Sequence, residues 1–359
     1  MPIIESTVED TYRRMAERLA GVVPDFELRA KAELAHAVNE LKRRRGAVIL
    51  GHNYMEPALY HSVPDFTGDS LELARRAAET DGDPIVFCGV RFMAETAKIL
   101  NPTRTVLLPT PKGGCSLAES ITAADVRALR ERYPGVPVVS YVNTPAEVKA
   151  ESDLCCTSGN ASAVVESLAA PTVIFLPDEY LARNVARETG RTIVFPLAAP
   201  RPEAARAPEL EYAMVGWSGR CEVHEKFTPD DIARVRAQFP DVVILAHPEC
   251  SPEVVAASDF SGSTSAMIKF VRQSGAARYL LLTECAMGDN VAAENPGKEM
   301  LRLCSVRCPH MNEITLEQTL EALQRDQYVI DVPEEIRVRA RRALDRMLAI
   351  GAAPGPPRA

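Results

Sequence analysis

Three cysteines in this chain each precede a helix-start signal by the same seven residues, an offset that a repeated fold preserves. Cys115 leads to Thr122-Ala-Ala-Asp125, Cys221 to Thr228-Pro-Asp-Asp231, and Cys308 to Thr315-Leu-Glu-Gln318. Each stretch places an acid or amide three residues after a threonine, the capping-box pattern that satisfies free N–H groups where a helix begins. The spacing continues downstream, because Tyr141 and His247 each close an apolar run 26 residues after Cys115 and Cys221. Three equivalently placed thiols meet only if three units pack around a common axis. Thiols that meet in that way point to a metal cluster.

The rest of the chain repeats on the same plan. Apolar runs at 47–50, 136–140 and 242–246 end in Gly51-His-Asn-Tyr54, Tyr141-Val-Asn143 and His247-Pro-Glu249. Seventeen or eighteen residues beyond His52, Tyr141 and His247 stand Ser70, Ser158 and Thr264, in Asp65-Phe-Thr-Gly-Asp-Ser70, Asp153-Leu-Cys-Cys-Thr-Ser158 and Asp259-Phe-Ser-Gly-Ser-Thr264. Each is followed by a helix-like stretch and a second apolar run, at 85–88, 172–176 and 278–282. A third extended run follows at 105–108, 192–195 and, less distinctly, 300–303, and then comes the cysteine. Continuous Val/Ile/Leu runs alternating with helices read as βαβ units whose strands are buried on both faces of a parallel sheet. The expected fold is therefore three similar α/β/α sandwich domains with parallel sheets around a pseudo-threefold axis, the active site and cluster at the centre. The expected domains are 1–112 completed by 310–359, then 113–214, then 215–309, with a frayed tail at Pro354-Gly355-Pro356-Pro357.

Composition narrows the functional classes. Apolar residues make up 46% and charged residues 25%, as in water-soluble globular proteins. No apolar run approaches the roughly 20 residues that span a bilayer. The acidic N-terminus, with Glu5, Glu9, Asp10 and Glu17, lacks the basic start of a signal peptide, so a cytoplasmic protein is expected. A net charge of −8 argues against a nucleic-acid surface and leaves any anionic substrate to local groups. Nine cysteines in a reducing compartment serve burial, catalysis or metal binding rather than a disulfide framework.

In parallel sheets, ligands bind beyond the carboxyl ends of the strands. His52, Asn53 and Tyr54, then Tyr141 and Asn143, then His247 and Glu249 are thus expected to face one cleft. The Ser/Thr elements belong at helix N-termini, where N–H groups hold carboxylates or phosphates. A single His or Tyr at a strand end is more often a hydrogen-bonded structural residue, and it is the threefold register that favours a composite site. Three thiolates on a cubane cluster leave one iron open as a Lewis acid. Cys88, Cys156, Cys250 and Cys285 read as small buried hydrophobes. Cys304 reads as a spare thiol, a redox partner of Cys308 or a substitute ligand.

Taken together, Gly51-His-Asn-Tyr54, Met93-Ala-Glu-Thr-Ala-Lys-Ile-Leu100, Tyr141-Val-Asn-Thr144, Thr157-Ser-Gly-Asn-Ala161, Gly216-Trp-Ser-Gly-Arg-Cys-Glu-Val-His-Glu225, His247-Pro-Glu-Cys250 and Cys308-Pro-His-Met311 resemble the quinolinate synthase family. The resemblance runs in order from about residue 47 to about 320. It implies a trilobed fold and a [4Fe–4S] cluster ligated by Cys115, Cys221 and Cys308. The reaction it implies condenses iminoaspartate with dihydroxyacetone phosphate, with L-aspartate oxidase as the source of iminoaspartate. By motif, Glu249 is the general acid or base beside His247, with a pKa raised by burial. His52 holds the triose or the product. Tyr54 and Tyr141 relay protons, Asn143 orients a carboxylate, and Ser70, Ser158, Ser263 and Thr264 bind carboxylate or phosphate. Trp217 reads as packing, with cluster shielding as the alternative. Rival expectations are another open-iron hydro-lyase acting on a hydroxy-acid, and a zinc-stabilised binding protein without catalysis.

Overall fold

The computed structural model describes residues 7–196, 213–303 and 306–350; Cys304 and the Pro354–Pro357 tail lie outside them. The chain forms three parallel sheets flanked by helices. The first contains β1 (Val48–His52), β2 (Phe66–Gly68), β3 (Ile85–Cys88) and β4 (Val106–Leu107), in the order β2-β1-β3-β4. The second contains β5 (Val138–Tyr141), β6 (Leu154–Cys156), β7 (Thr172–Leu176), β8 (Thr192–Val194) and β9 (Ala213–Val215), in the order β6-β5-β7-β9-β8. The third contains β10 (Val243–Ala246), β11 (Phe260–Ser261), β12 (Arg278–Leu282) and β13 (Glu299–Leu301), in the order β11-β10-β12-β13. Strands such as β3, β5 and β7 are buried along their whole length, which is why they read as unbroken apolar runs.

One device recurs in all three sheets. The carboxylates of Asp65, Asp153 and Asp259 each accept the backbone N–H of a residue in the leading strand (Ile49, Val138 and Ile244), every bond at 2.8 Å. Each of these carboxylates also pairs with a basic side chain, Lys42 at 2.9 Å, Arg130 at 2.8 Å and Arg236 at 2.9 Å. The return of the chain from first to second strand is thereby fixed identically three times. As a result His52, Tyr141 and Ala246 end their strands opposite Gly68, Cys156 and Ser261.

The helices after the cysteines begin where the capping pattern places them. Thr122, Thr228 and Thr315 cap helices Ala123–Arg132, Pro229–Gln238 and Leu316–Arg325, each with a reciprocal capping box. Thr228→Ala is expected to cost about 1 kcal/mol, because it removes the side-chain oxygen that accepts the Asp231 N–H and donates to the Asp231 carboxylate. A urea midpoint unchanged from wild type would contradict this.

The C-terminal segment returns to the first sheet. Leu108 and Tyr328 exchange backbone hydrogen bonds at 2.9 Å, Ile330 donates to Val106 at 2.8 Å, and helix Leu316–Arg325 packs on helix Asp25–Arg45. The last helix, Glu334–Ala349, crosses to helix Ala146–Ala150 and β6 of the second unit.

One strand departs from the sequence reading. The run at 192–195 supplies only an edge strand, and β9 takes the inner place beside β7. Ala213-Met214-Val215 is too short for its periodicity to be told from a loop, yet it is fully buried, as an inner strand must be.

Candidate active site

The carboxyl ends of the three leading strands open into one cavity. The first sheet contributes His52, Tyr54 and Ser70, the second Tyr141, Asn143 and Ser158, and the third His247, Glu249 and Thr264. Cys115, Cys221 and Cys308 line the same cavity. Ser263 does not. It caps helix Thr264–Gln273, where its Oγ accepts the Ala266 N–H at 3.3 Å. Ser70 and Thr264 are the first residues of their helices, whereas Ser158 sits in the turn before helix Ala161–Ser167, with Asn160 at the cap. Trp217 donates to the Ser120 carbonyl at 3.0 Å within an apolar cluster and is not part of the cavity wall.

Glu249 is the hub of the polar network. Its Oε1 accepts the Tyr141 hydroxyl at 2.5 Å and its Oε2 faces His224 Nδ1 at 2.8 Å. From His224 the chain continues through Nε2 to Thr283 Oγ1 at 2.9 Å, and from there to the Tyr54 hydroxyl at 2.5 Å. His247 stacks on His224, with ring centroids 4.5 Å apart, and its Nε2 meets Ser158 Oγ at 3.2 Å. The sequence reading quoted His224 in its motif but gave it no role, and it overlooked Thr283. Position alone marked His224, which stands three residues after Cys221 as Ala118 and Met311 stand after the other two cysteines.

Burial sets the protonation states. It pushes Glu249 up, but His224 on Oε2 and the Tyr141 hydroxyl on Oε1 outweigh it and hold the carboxyl below the ordinary range. This corrects the expectation of a raised pKa, since the donors across the site decide the sign. The neighbouring buried carboxyl, Asp178, is pushed well up by burial and by the charge of Glu249, so it holds the proton. Burial and the same charge raise Tyr54 and Tyr141, which therefore stay neutral donors. Burial lowers His52 to about 4, and burial with the adjacent His224 lowers His247 to about 3. Their Nδ1 atoms accept backbone N–H groups, from Tyr54 at 3.2 Å and from Glu249 at 3.3 Å. Both neutral rings thus carry their proton on Nε2.

Together with His61, also lowered to about 4 by burial, these imidazoles make stability depend on pH. Histidine in the unfolded chain binds protons below about 6.5, before the folded chain does, so stability is lost as pH falls. The urea midpoint is expected to decline between pH 6.5 and 5, above the main carboxylate range, and His61→Gln should reduce the slope. A flat profile would refute the buried neutral histidines.

The cysteine loops suit a cationic centre. Each sulfur is met by the backbone N–H groups two and three residues on, from Leu117 and Ala118, Val223 and His224, and His310 and Met311. Burial raises Cys115 to about 12, Cys308 to about 11 and Cys221 well above its ordinary value. Such thiols ionise when a metal compensates the charge, and the paired N–H donors are then already in place. No Lys or Arg among the described residues lines the cavity to compete for them. Three partly buried thiols from three loops fit an iron–sulfur group. Asn143 Oδ1 is buried without a partner on the cavity wall, an amide left for a ligand.

Among the described residues no helix is long and apolar enough to cross a membrane. The family model described as Quinolinate synthetase A protein (NadA) matches residues 36–349. Quinolinate synthase 2 of Mesorhizobium japonicum is 51% identical over 345 residues, 96% of this chain and 100% of the relative. Quinolinate synthase of Agrobacterium fabrum is 51% identical over 348 residues, 96% of this chain and 94% of the relative. Quinolinate synthase of Xylella fastidiosa (strain 9a5c) is 52% identical over 314 residues, 88% of this chain and 86% of the relative.

Proposed function

The chain belongs to the quinolinate synthetase A family, and from that premise we propose that it makes quinolinate for NAD biosynthesis. Iminoaspartate and dihydroxyacetone phosphate are condensed with release of phosphate and two waters, a carbon–carbon bond-forming transfer with dehydration steps. Iminoaspartate has to come from an oxidation of aspartate, the step that L-aspartate oxidase performs. Cys115, Cys221 and Cys308 hold a [4Fe–4S] cluster, which when bound supplies an open iron as Lewis acid toward a substrate oxygen. The proposal sets the units at 1–112 with 310–359, 113–214 and 215–309 about a pseudo-threefold axis, supported by the threefold Asp65, Asp153 and Asp259 device. The reaction belongs in the cytoplasm, where cysteines such as the eight described here remain free thiols.

The protein's own groups divide the work. Glu249, ionised between two donors, removes a carbon-bound proton, and His224, Thr283 and Tyr54 form the path by which a proton reaches a departing hydroxyl. His52 and His247 present Nε2–H donors to substrate oxygens. Ser70 and Thr264, at helix starts, and Asn143 hold the phosphate and carboxylates, so anions are bound by neutral donors and N–H groups.

The observation that carries the proposal is that the three cysteines and the Glu249–His224 pair line one cavity. The test is an anaerobic assay of the metal-loaded enzyme for quinolinate, with both substrates and with each alone. Product from both and from neither alone is the expected result. Dehydration of a hydroxy-acid in place of quinolinate formation would instead favour a hydro-lyase.

A further inference from the structure

We propose that Cys221, His224 and Glu249 form a second, mononuclear cation site that takes one Zn²⁺ when the iron–sulfur group is absent. One sulfur, one imidazole nitrogen and one carboxylate oxygen lie within 4.8 Å of one another. His224 Nδ1 is 3.2 Å from Cys221 Sγ and 2.8 Å from Glu249 Oε2. Tetrahedral zinc with bonds of about 2.0–2.3 Å sets such donors roughly 3.3–3.6 Å apart, so the ion enters as the His224 ring moves slightly outward and the Cys221 and Glu249 donors, within 4.8 Å of each other, settle around it. Mixed S, N and O donors are a borderline-soft set, which suits zinc better than magnesium or calcium.

The surroundings already orient each ligand. With a cation on Nδ1, His224 Nε2–H donates to Thr283 Oγ1, the contact seen at 2.9 Å. Tyr141 secures the other oxygen of Glu249, and the Val223 and His224 N–H groups meet the Cys221 sulfur. Such supporting contacts fix ligand geometry before the metal arrives. All three ligands come from residues 221–249, around a single sheet, and the fourth position opens to the cavity. A site on Cys115, Cys221 and Cys308 instead needs three separate loops. Zinc held in this way occupies a cluster cysteine and the catalytic carboxylate together, so zinc and the iron–sulfur group exclude each other. Only this exclusion rests on the proposed function.

The test uses the full chain, stripped anaerobically of iron and titrated with Zn²⁺ against a chromophoric chelator. One zinc per chain is expected. Cys221→Ser and His224→Ala should each weaken binding roughly 100-fold or more, while Cys115→Ser and Cys308→Ser stay within about threefold of wild type. Equal losses in all three cysteine variants, or no zinc bound, would overturn the site. Co²⁺ in the unaltered chain gives a reading that does not depend on how the variants fold. Charge-transfer absorption from one thiolate supports the site, and absorption from three overturns it. Iron and sulfide reconstitution of Cys115→Ser separates the two hypotheses, because it tests the cluster ligand set without touching the zinc donors.

Discussion

Cys221→Ala is expected to yield a folded, colourless protein that makes no quinolinate, and Cys115→Ala and Cys308→Ala should behave alike. Protein prepared without air should be brown, with about four iron and four sulfide per chain, and should bleach in air because one iron lacks a protein ligand. The loss should be complete rather than graded. A cluster with three protein ligands has no spare one, and Ala offers no sulfur to accept from the paired N–H groups at each site. Folding should survive, since each cysteine precedes a short helical turn in a loop and none lies in a strand. Cys88→Ala and Cys155→Ala are the controls, and both should keep the colour, because those thiols are buried within β3 and β6. Intact cluster in Cys221→Ala would remove that residue from the ligand set. One zinc in the unaltered protein, with no iron or sulfide taken up on reconstitution after the zinc is removed, would support a zinc-stabilised binding protein instead.

Much of this architecture was legible because loop lengths in a repeated fold are conserved within the chain itself. The offset from each cysteine to Thr122, Thr228 or Thr315 records the turn that joins the cysteine loop to its helix. The interval from strand to Ser/Thr element contains Asp65, Asp153 or Asp259, the carboxylates that pin the return. Strand β9 escaped notice because three apolar residues carry too little periodicity. His224 and Thr283 were missed for a different reason, since their roles lie in contacts between segments 25 and 59 residues apart. The ionisation of Glu249 was misread on the same ground. Burial is inferred from composition, but Tyr141 reaches Oε1 from 108 residues away, and the sign of the shift follows from that donor and His224.

Glu249→Gln provides the sharper test of mechanism, because it keeps the volume of the side chain and removes only its charge. Turnover is expected to fall about 10²–10⁴-fold with the cluster retained and KM little changed. Two effects combine in that loss. The amide is no base, and an amide NH₂ turned toward His224 Nδ1 makes that atom an acceptor, so Nε2–H must then donate to Thr283. The relay toward Tyr54 is thereby set in the opposite sense from one in which Glu249 accepts. Thr283→Val separates these contributions, since it cuts the path between His224 and Tyr54 while leaving the Glu249 charge and its Tyr141 contact in place. If Glu249 and the relay act as a unit, the double variant should be scarcely slower than Glu249→Gln alone. Fully multiplied losses would make Thr283 an independent contributor. Near wild-type turnover in Glu249→Gln would leave the carbon-bound proton to another group.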